Sequence, residues 1–523
     1  MKRSTRWRWG CWMLGGACVL AGCGGDNTGA APPTGHAASV GGAAQGVQVV
    51  PTASADVQQD APEGPHVGGT VTGLDKDTSL KLFNNRSELL TVSKNGTFHF
   101  ASEASTDAPF DVTVAVHPRG QHCTVSDGVG VVGGATAASD IKVECVARTQ
   151  FAIVRDNTSE IHSYRLDPHN GVAHYVAANG QPWTLIRRLT LSRDGSRGYV
   201  IRRGGDYGTD ANNAKWIRPI GTFTIDLKSG ALGKIDDLNW TSRSGRALDF
   251  SLNPVNSTLS VIQFGYAYAD IKVNSSAAIV ERPHMFLGVT GSPSPSPSLD
   301  RDKCWARDSR GVSYMPTGDV VGNMRSVAQG RLHYTLGCNA LSGLYTLRGY
   351  THDYVTGTYR QFDIGGDVLD TMRSPESFDI NPQETYLYAV DSQGSGLELG
   401  AFRIDLSSGR LKLVQRIRLS DRPTGVFVNH DGSAVYVLHV GNEKISAFTV
   451  DASTGALSSV KGSPFKVGKM PTGFVIDASE TFAYVSEIGD AALGVYRINP
   501  ETKAIERAGM TPYLGIAEFV LTP

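Results

Sequence analysis

The chain has 523 residues, of which 60 are Gly and 24 are Pro; charged residues make up 19% and the formal net charge is -1. The glycine content is above the roughly 7% of an average protein, and the fraction of charged residues is below the usual value of about one quarter. This composition excludes a disordered polyelectrolyte, a coiled coil and collagen, and it gives no sign of a nucleic-acid partner. It favours an all-β chain with many tight turns, in which Gly supplies positive φ.

The amino terminus reads as a targeting segment. The apolar stretch Cys11–Leu20 is too short to span a bilayer comfortably, and it follows four basic residues, Lys2, Arg3, Arg6 and Arg8. It ends in Leu20-Ala21-Gly22-Cys23, which resembles the lipobox of bacterial lipoproteins. That resemblance implies a signal peptide over 1–22 and a lipid on Cys23. A plain cleaved signal or a membrane anchor is the alternative.

The resemblance also implies a location. By similarity to Gram-negative sorting, Gly24 after the lipidated Cys favours the outer membrane, and the lipid would be the membrane partner. Residues 23–65 are rich in Gly, Ala, Pro, Thr and Gln, so they predict a flexible tether that buries too little apolar surface to fold. The sequence leaves open which face of the membrane the protein occupies.

Cysteine spacing predicts two disulfides. Beyond Cys23, four cysteines remain after cleavage, and an exported chain favours the pairs Cys123–Cys145 and Cys304–Cys338, each within one predicted domain. Buried free thiols are the alternative. No CxxC or paired-His spacing indicates a metal site, and no cofactor is expected.

Residues 66–147 change character from the tether. Short alternating or β-branched runs such as Leu89–Val92, Phe110–Val114 and Ile141–Cys145 are separated by turn signals such as Lys94-Asn95-Gly96. About six or seven strands in this length predict a small β-sandwich. The stretch looks like a repeat unit of bacterial surface proteins, which implies a spacer without chemistry.

Residues 148–523 carry an internal repeat. Segments beginning at Pro375, Pro423 and Pro471 align at intervals of 48 residues, and Tyr388, Tyr436 and Tyr484 repeat the same interval, which indicates packing between repeats. Each unit contains four short strands, the content of one propeller blade. Weaker copies upstream place inner strands near 189, 250 and 324.

The two ends of the repeat region each supply part of a blade. The segment 518–523 matches only a first strand, whereas 151–176 matches only later strands. Together they complete one blade and remove an exposed sheet edge. The predicted fold is therefore all-β, a seven-bladed β-propeller preceded by a small β-sandwich and a disordered lipoprotein tether.

The repeats Pro423–Gly432 with Tyr436-Val437, and Pro471–Glu480 with Tyr484-Val485-Ser486, resemble lactonase-type propellers, also called Tyr-Val-Thr-Asn repeat propellers. That family includes sugar-lactone and carboxymuconate-lactone enzymes, and its catalysis uses Arg, Glu and His. Its members often have Arg-His after the blade Pro, whereas the clear repeats here have Pro-Thr-Gly. This departure weighs against a simple transfer of activity.

Candidate site residues come from aligning every blade on Gly473. The aligned positions of three consecutive blades are Glu518, Arg188 and Asp249, which predicts an Arg between two carboxylates at the channel mouth. A carboxylate there could activate water while Arg188 stabilises the oxyanion. Additional ligand-binding candidates are Arg187, Asn323, Glu376 and Ser377. A salt-bridged ring that orders the entrance is the alternative.

Two functions therefore stand side by side. The tether, the spacer and the missing Arg-His favour an envelope-anchored binding or scaffolding module for a small molecule, glycan or protein. The family resemblance and the acid–Arg–acid alignment favour a lactone hydrolase that acts on a sugar or aromatic lactone. A purely structural envelope protein is a third interpretation. The sequence leaves open whether the chain is an enzyme.

Overall fold

The computed structural model describes residues 65–523 with internal gaps. The gaps are 134–139, 157, 181–185, 193, 203–219, 238–246, 253–257, 264–266, 274–278, 282–305, 308–312, 315–323, 329, 339–344, 354–357, 367–371, 373–374, 393–395 and 513–515. The predicted signal peptide, Cys23, the tether up to residue 64, Asn323 and Cys304 lie outside the described residues. No helix in the described ranges has the length and apolar character needed to cross a membrane.

The amino-terminal part of the described chain is a β-sandwich of eight strands. The strands are β1 His66–Thr72, β2 Leu80–Asn84, β3 Glu88–Val92, β4 Gly96–Glu103, β5 Pro109–Val116, β6 Gln121–Ser126, β7 Val129–Val131 and β8 Ile141–Ala147. One sheet has the order β4-β1-β8-β6 and the other β3-β2-β5-β7, and β1 and β8 run parallel.

The two sheets share one buried core. Val71, Leu80 and Phe100 are fully buried in it, as their alternation along the strands predicts. Cys123 and Cys145 lie directly opposite each other on β6 and β8 and form a disulfide inside this core. The first predicted disulfide is therefore present in the structure.

Seven sheets follow, and we number them as blades in ring order. The first strands, β9 Phe151–Asp156, β10 Ile161–Leu166 and β11 Ala173–Ala178, belong to blade 1. Blade 2 contains β12 Ile186–Leu191, β13 Arg197–Arg202, β14 Ile220–Thr224 and β15 Asp236–Asp237, and blade 3 contains β16 Ala247–Leu252, β17 Thr258–Gln263, β18 Ala267–Val273 and β19 Ile279–Glu281. A separate two-stranded sheet follows, β20 Ala306–Arg307 and β21 Ser313–Tyr314. Blade 4 contains β22 Met324–Val327, β23 Leu332–Cys338, β24 Tyr345–Asp353 and β25 Thr358–Phe362.

Blades 5 to 7 hold the clearest repeats. Blade 5 contains β26 Pro375–Ile380, β27 Tyr386–Asp391, β28 Glu398–Ile404 and β29 Leu411–Arg418. Blade 6 contains β30 Gly425–Val428, β31 Ala434–His439, β32 Lys444–Val450, β33 Leu457–Ser459 and β34 Phe465–Lys466. Blade 7 contains β35 Pro471–Ile476, β36 Phe482–Glu487, β37 Ala492–Ile498 and β38 Ile505–Pro512. Two short 3-10 turns, Val440–Asn442 and Ile488–Asp490, follow β31 and β36.

The last strand closes the ring. Strand β39, Ile516–Leu521, pairs antiparallel with β9 and becomes the inner strand of blade 1. The Thr522 hydroxyl accepts a hydrogen bond from the Phe151 amide at 2.8 Å, and the Thr522 amide donates to the Phe151 carbonyl at 2.8 Å. The predicted closure and the count of seven blades are both confirmed. Closure leaves no open sheet edge at the chain ends of the ring.

The turns between the third and fourth strands use one recurring device. In blade 6 the Asp451 carboxylate accepts hydrogen bonds from the Ser453 hydroxyl and from the Thr454 amide, which lowers the pKa of Asp451 to about 2. Gly455 ends this turn at φ +75°, and a Cβ there would lie 2.3 Å from the Tyr386 ring of blade 5. The turn therefore needs Gly both for its backbone and for contact with the next blade.

The sandwich packs on the face of the propeller where the first and second strands of the blades are joined. Lys81 Nζ lies 2.5 Å from the buried Asp431 carboxylate of blade 6, and Arg86 pairs with Glu384 of blade 5. The His117 amide donates to the Ala478 carbonyl of blade 7 at 2.9 Å. Burial alone would raise the pKa of Asp431, but the neighbouring Lys503 and Lys81 ammonium groups hold it below its usual range.

Candidate functional site

The inner strands of the blades share an irregularity near their starts. In five of them the register with the second strand slips by one residue, and the residue after the slip is paired with the next-to-last residue of the second strand. Those five residues are Arg188, Asp249, Ser377, Gly473 and Glu518. The alignment on Gly473 therefore identified backbone positions that are equivalent in the structure.

Glu518 forms an ion pair within blade 1. It lies directly opposite Arg155 of β9, and Arg155 Nε is 3.6 Å from Glu518 Oε2. Two residues along β39, Val520 packs with the apolar cluster shared by blades 1 and 2, whereas Phe519 packs with the cluster shared with blade 7. Because side chains alternate along a strand, Glu518 faces blade 2, the blade that carries Arg188.

The structure describes only the backbone of Arg187, Arg188 and Asp249. Arg188 and Asp249 follow the slips in β12 and β16, the inner strands of the two blades after blade 1. Asn323 lies outside the described residues. Convergence of Glu518, Arg188 and Asp249 on one cavity therefore remains a prediction.

Glu376 and Ser377 are both buried at the mouth of blade 5. The Glu376 carboxylate accepts a hydrogen bond from Arg422 Nη2 at 2.7 Å and another from the Ser392 hydroxyl. Arg422 precedes the inner strand of blade 6, and 62% of its side chain is exposed. The Ser377 hydroxyl accepts the Val426 amide of that same strand at 3.3 Å. Both predicted ligand-binding residues thus join neighbouring blades, and Arg422 presents a held guanidinium to solvent.

Buried polar residues end the second strands of four blades. Asp156, Asp391, His439 and Glu487 are the last residues of β9, β27, β31 and β36, and each is 7% exposed or less. Because buried polar groups must be hydrogen-bonded, each needs partners from its own surroundings. These ends form a polar layer just behind the inner-strand starts.

Glu487 is the most buried member of this layer. The sequence favours a surface position for it at a strand end, and the structure shows that this interpretation is wrong, because Glu487 is fully buried. Arg507 Nη1 and Nη2 contact its two carboxylate oxygens at 3.0 and 2.7 Å, and the Tyr496 hydroxyl donates to Oε1 at 2.5 Å. The Gly468 amide donates to the same oxygen at 2.8 Å. This bidentate pairing compensates the charge that burial would otherwise disfavour.

Blade 6 contains a buried Ser–His pair. His439 Nδ1 contacts the Asp421 carbonyl at 3.1 Å, and Nε2 contacts the Ser446 hydroxyl at 2.8 Å. A carbonyl only accepts, so Nδ1 carries the proton and Nε2 accepts from Ser446. Burial lowers the pKa of His439, which favours the neutral ring. At 1% and 8% exposure the two side chains are sealed from solvent, so the pair serves to hold the strand ends together.

One cluster of described residues offers ligand atoms that a metal ion could share. Donor atoms of Asp156, Glu160 and His162 in blade 1 all lie within 4.8 Å of one another. Mixed carboxylate and imidazole ligands suit Zn²⁺ or Mn²⁺. Asp156 Oδ1, however, already accepts from the Thr158 hydroxyl and amide, and Oδ2 lies 3.2 Å from His162 Nε2. These contacts also account for the cluster as a stabilised turn.

Three arginines of this region were not among the candidates predicted from the sequence. Arg155, Arg422 and Arg507 all hold the carboxylates of the mouth, yet none follows the blade Pro where the family pattern directs attention. Arg155 was within reach, because pairing β39 with β9 in antiparallel register puts it opposite Glu518. The contacts of Arg422 and Arg507 join side chains on different strands, and no regular spacing in the sequence predicts such contacts.

Comparison with known proteins agrees with this geometry. A family profile described as "Lactonase, 7-bladed beta-propeller" matches residues 417–521. In fold, the ring is a lactonase-type seven-bladed β-propeller. No curated protein is a significant sequence match to this chain.

Solved structures resemble the lactonase-type propeller over most of its length. A 6-phosphogluconolactonase-like protein of Bacteroides uniformis is 14% identical with a TM-score of 0.52, and the match covers 72% of this chain and 99% of that one. The periplasmic gluconolactonase of Pseudomonas aeruginosa is 16% identical with the same TM-score and the same coverage of both chains. At these identities the likeness shows the fold alone.

Proposed function

We propose that this chain is a lactone hydrolase that acts at the mouth of its propeller. The observation that carries the proposal is the match of residues 417–521 to the lactonase propeller profile. The register gives independent support, because the predicted acid–Arg–acid residues occupy equivalent inner-strand positions in three consecutive blades. The binding and scaffolding function favoured from the sequence has no comparable support.

The proposed chemistry assigns one role to each candidate. Glu518 or Asp249 takes the proton of an attacking water, and Arg188 stabilises the oxyanion that forms at the lactone carbonyl. Arg155 Nε, 3.6 Å from Glu518 Oε2, supplies this carboxylate with a counter-charge. The exposed guanidinium of Arg422, held by Glu376, is suited to contact an acidic or hydroxyl-rich substituent of a sugar lactone.

The first prediction concerns Arg188. Replacing it with Ala should lower kcat/KM for the best lactone about 100-fold or more, since loss of one oxyanion donor typically has that effect. The assay compares hydrolysis of sugar and aromatic lactones with the spontaneous rate. Arg403→Ala is the matched control, because Arg403 is exposed on β28, the third strand of blade 5. If the wild-type protein hydrolysed no lactone faster than the spontaneous rate, the proposal would be wrong and a binding module would be the better interpretation.

We also propose that the protein is attached to the cell envelope through a lipid on Cys23, in the outer membrane. The support is the order of basic, apolar and lipobox residues in 1–23. Loss of membrane association in Cys23→Ala would support the anchor, and retention of the variant in the membrane fraction would argue against it.

A further inference from the structure

A cleft of about 460 Å³ lies where the β-sandwich meets blades 1 and 7. Most of its walls come from four segments, namely 118–121 of the sandwich, the connection 147–150, the blade 1 turn 165–169 and the blade 7 turn 477–479. His174, Phe482, Tyr484 and Pro523 complete the lining. The blade 7 turn follows the end of β35, so the cleft lies at the opposite end of the inner strands from the proposed lactonase mouth. Its volume is in the range of small-molecule sites, which often form between domains.

Hydrogen bonds fix the walls of the cleft. The Arg148 amide donates to the Gly120 carbonyl at 2.9 Å, and Arg148 Nη2 donates to the Asp194 carbonyl at 2.8 Å. Gln150 Nε2 donates to the Thr522 carbonyl at 2.7 Å. The connection between the sandwich and blade 1 is therefore held to both domains, and the cleft is already formed in the structure.

The lining holds more arginines than acids. Arg119, Arg148 and Arg165 all line the cleft, and within the described parts of the chain none of the three forms an ion pair with a carboxylate. His169 and His174 add two more basic groups, and His174 is directly opposite Arg165 in the sheet. Carboxylates balance these charges in part, because Asp167 and Asp477 also line the cleft and Asp194 acts on Arg148. No described acid forms an ion pair with the three guanidinium groups, so their N–H donors can serve an anion.

The acids of the cleft are engaged elsewhere. Asp167 accepts the His169 amide at 2.8 Å, and these turn hydrogen bonds lower its pKa. Asp477 accepts the Ser479 hydroxyl at 2.6 Å and the Phe482 amide at 2.9 Å, and burial raises its pKa to about 6. Both carboxylates keep most of their negative charge at pH 7, but neither forms an ion pair with Arg119, Arg148 or Arg165.

Two histidines flank the sandwich wall of the cleft. His117 and His122 stack with ring centroids 4.4 Å apart. Burial, followed by the charges of neighbours that include Arg148, lowers their pKa values to about 3 and about 4. Both rings are therefore neutral at pH 7, and the positive charge of the cleft comes from its arginines.

We propose that this cleft binds a small anion that carries a phosphate or carboxylate group. Arg119 and Arg165, both exposed, would contact the anion from the sandwich side and from the blade 1 side. Arg148, held by the Asp194 carbonyl, would supply the third guanidinium. Arginine forks match the oxygens of both groups. A ligand here bridges the two domains, a role separate from lactone hydrolysis.

The test is isothermal titration calorimetry on the full-length protein. Sodium phosphate and sodium gluconate are titrated separately at constant ionic strength, with sodium chloride as the reference salt. Saturable binding that the cleft variant described next weakens supports the site, and the tighter of the two anions identifies phosphate or carboxylate as its chemistry. The double variant Arg119→Gln/Arg165→Gln should bind at least about tenfold more weakly, since it loses two charge-assisted contacts.

Arg403→Gln is the matched control, because it removes one exposed guanidinium far along the chain, in blade 5. Its affinity should equal that of the wild type, and the double variant should keep the wild-type rate of lactone hydrolysis. Equal affinity in the wild type and the double variant, or no saturable binding beyond chloride, would overturn the proposal. Neither result bears on the lactonase proposal, which the lactone panel tests separately.

Discussion

At the scale of single residues, Glu487 shows how a charge can be stabilised inside an all-β domain. Its carboxylate is fully buried, and both oxygens are taken by Arg507, the Tyr496 hydroxyl and the Gly468 amide. A Cβ on Gly468 would lie 2.2 Å from this carboxyl carbon. Gly468 therefore leaves space for the carboxylate, and Arg507 supplies its counter-charge.

Glu487 is fully buried whereas Arg507 is partly exposed, so removing either partner should have a different effect on stability. Arg507→Met leaves a buried carboxylate without its counter-charge and should lower the free energy of unfolding by about 3 kcal/mol. Glu487→Gln should have a smaller effect, about 1–2 kcal/mol, because Arg507 is 39% exposed and can turn to water while the amide keeps the Tyr496 hydrogen bond. Denaturant unfolding monitored by circular dichroism measures both.

The control for this pair is Arg403→Met, which removes an exposed arginine and should change stability by less than about 0.5 kcal/mol. If Arg507→Met were as stable as this control, the Glu487 carboxylate would have no need of its partner, and our account of the site would be wrong.

At the scale of elements, the repeated tyrosines connect neighbouring blades. Tyr436 of β31 donates its hydroxyl hydrogen bond to the Lys503 carbonyl of blade 7 at 3.0 Å, and its ring lies 5.2 Å from Phe474. Tyr388 reaches the Gly455 carbonyl of blade 6 in the same way at 3.4 Å. The interval of 48 residues thus repeats a contact between blades, which confirms the packing role predicted from the sequence.

Removing one hydroxyl should therefore weaken one blade contact. Tyr436→Phe leaves the Lys503 carbonyl unsatisfied beneath a buried ring and should lower the free energy of unfolding by about 1–2 kcal/mol. Tyr388→Phe is the matched comparison, because its bond is longer at 3.4 Å and its loss should have the smaller effect. Thermal or denaturant unfolding of the two variants measures the difference, and equal values for both would contradict this assignment.

The same elements show what sequence reasoning could reach. Strand periodicity and the spacing of Pro375, Pro423 and Pro471 depend on local patterns, so blade number, inner strands and the Cys123–Cys145 bridge followed from them. The bulges at Arg188 and Glu518 repeat at one place in five of the seven blades, so alignment found these positions as well.

Other features depend on contacts that no local pattern encodes. The Glu487 carboxylate is held by Arg507, which reaches it from the fourth strand of blade 7, and the cleft is assembled from several segments that are distant in sequence. Such sites follow from how domains pack, because side chains distant in sequence meet there only after folding. Equivalent inner-strand positions could therefore be aligned from the sequence, whereas no pattern in it indicated the cleft.

At the scale of the whole molecule, two junctions define the architecture. One is the contact of the sandwich with blades 5 to 7 through Lys81, Arg86 and His117. The other is the closure of blade 1, in which β39 returns to β9. Closure also places Glu518 on the face toward blade 2 and sets the ring order on which the proposed site depends.

Hydrogen exchange of the full-length protein, followed by mass spectrometry, tests this closure most directly. We predict that peptides covering 516–522 and 151–156 exchange slowly and to the same extent as the β31 and β36 core strands, because their amides are paired in one sheet. Exchange of the 516–522 peptide within seconds, as for a free tail, would contradict the closed ring and with it the equivalence of Glu518, Arg188 and Asp249.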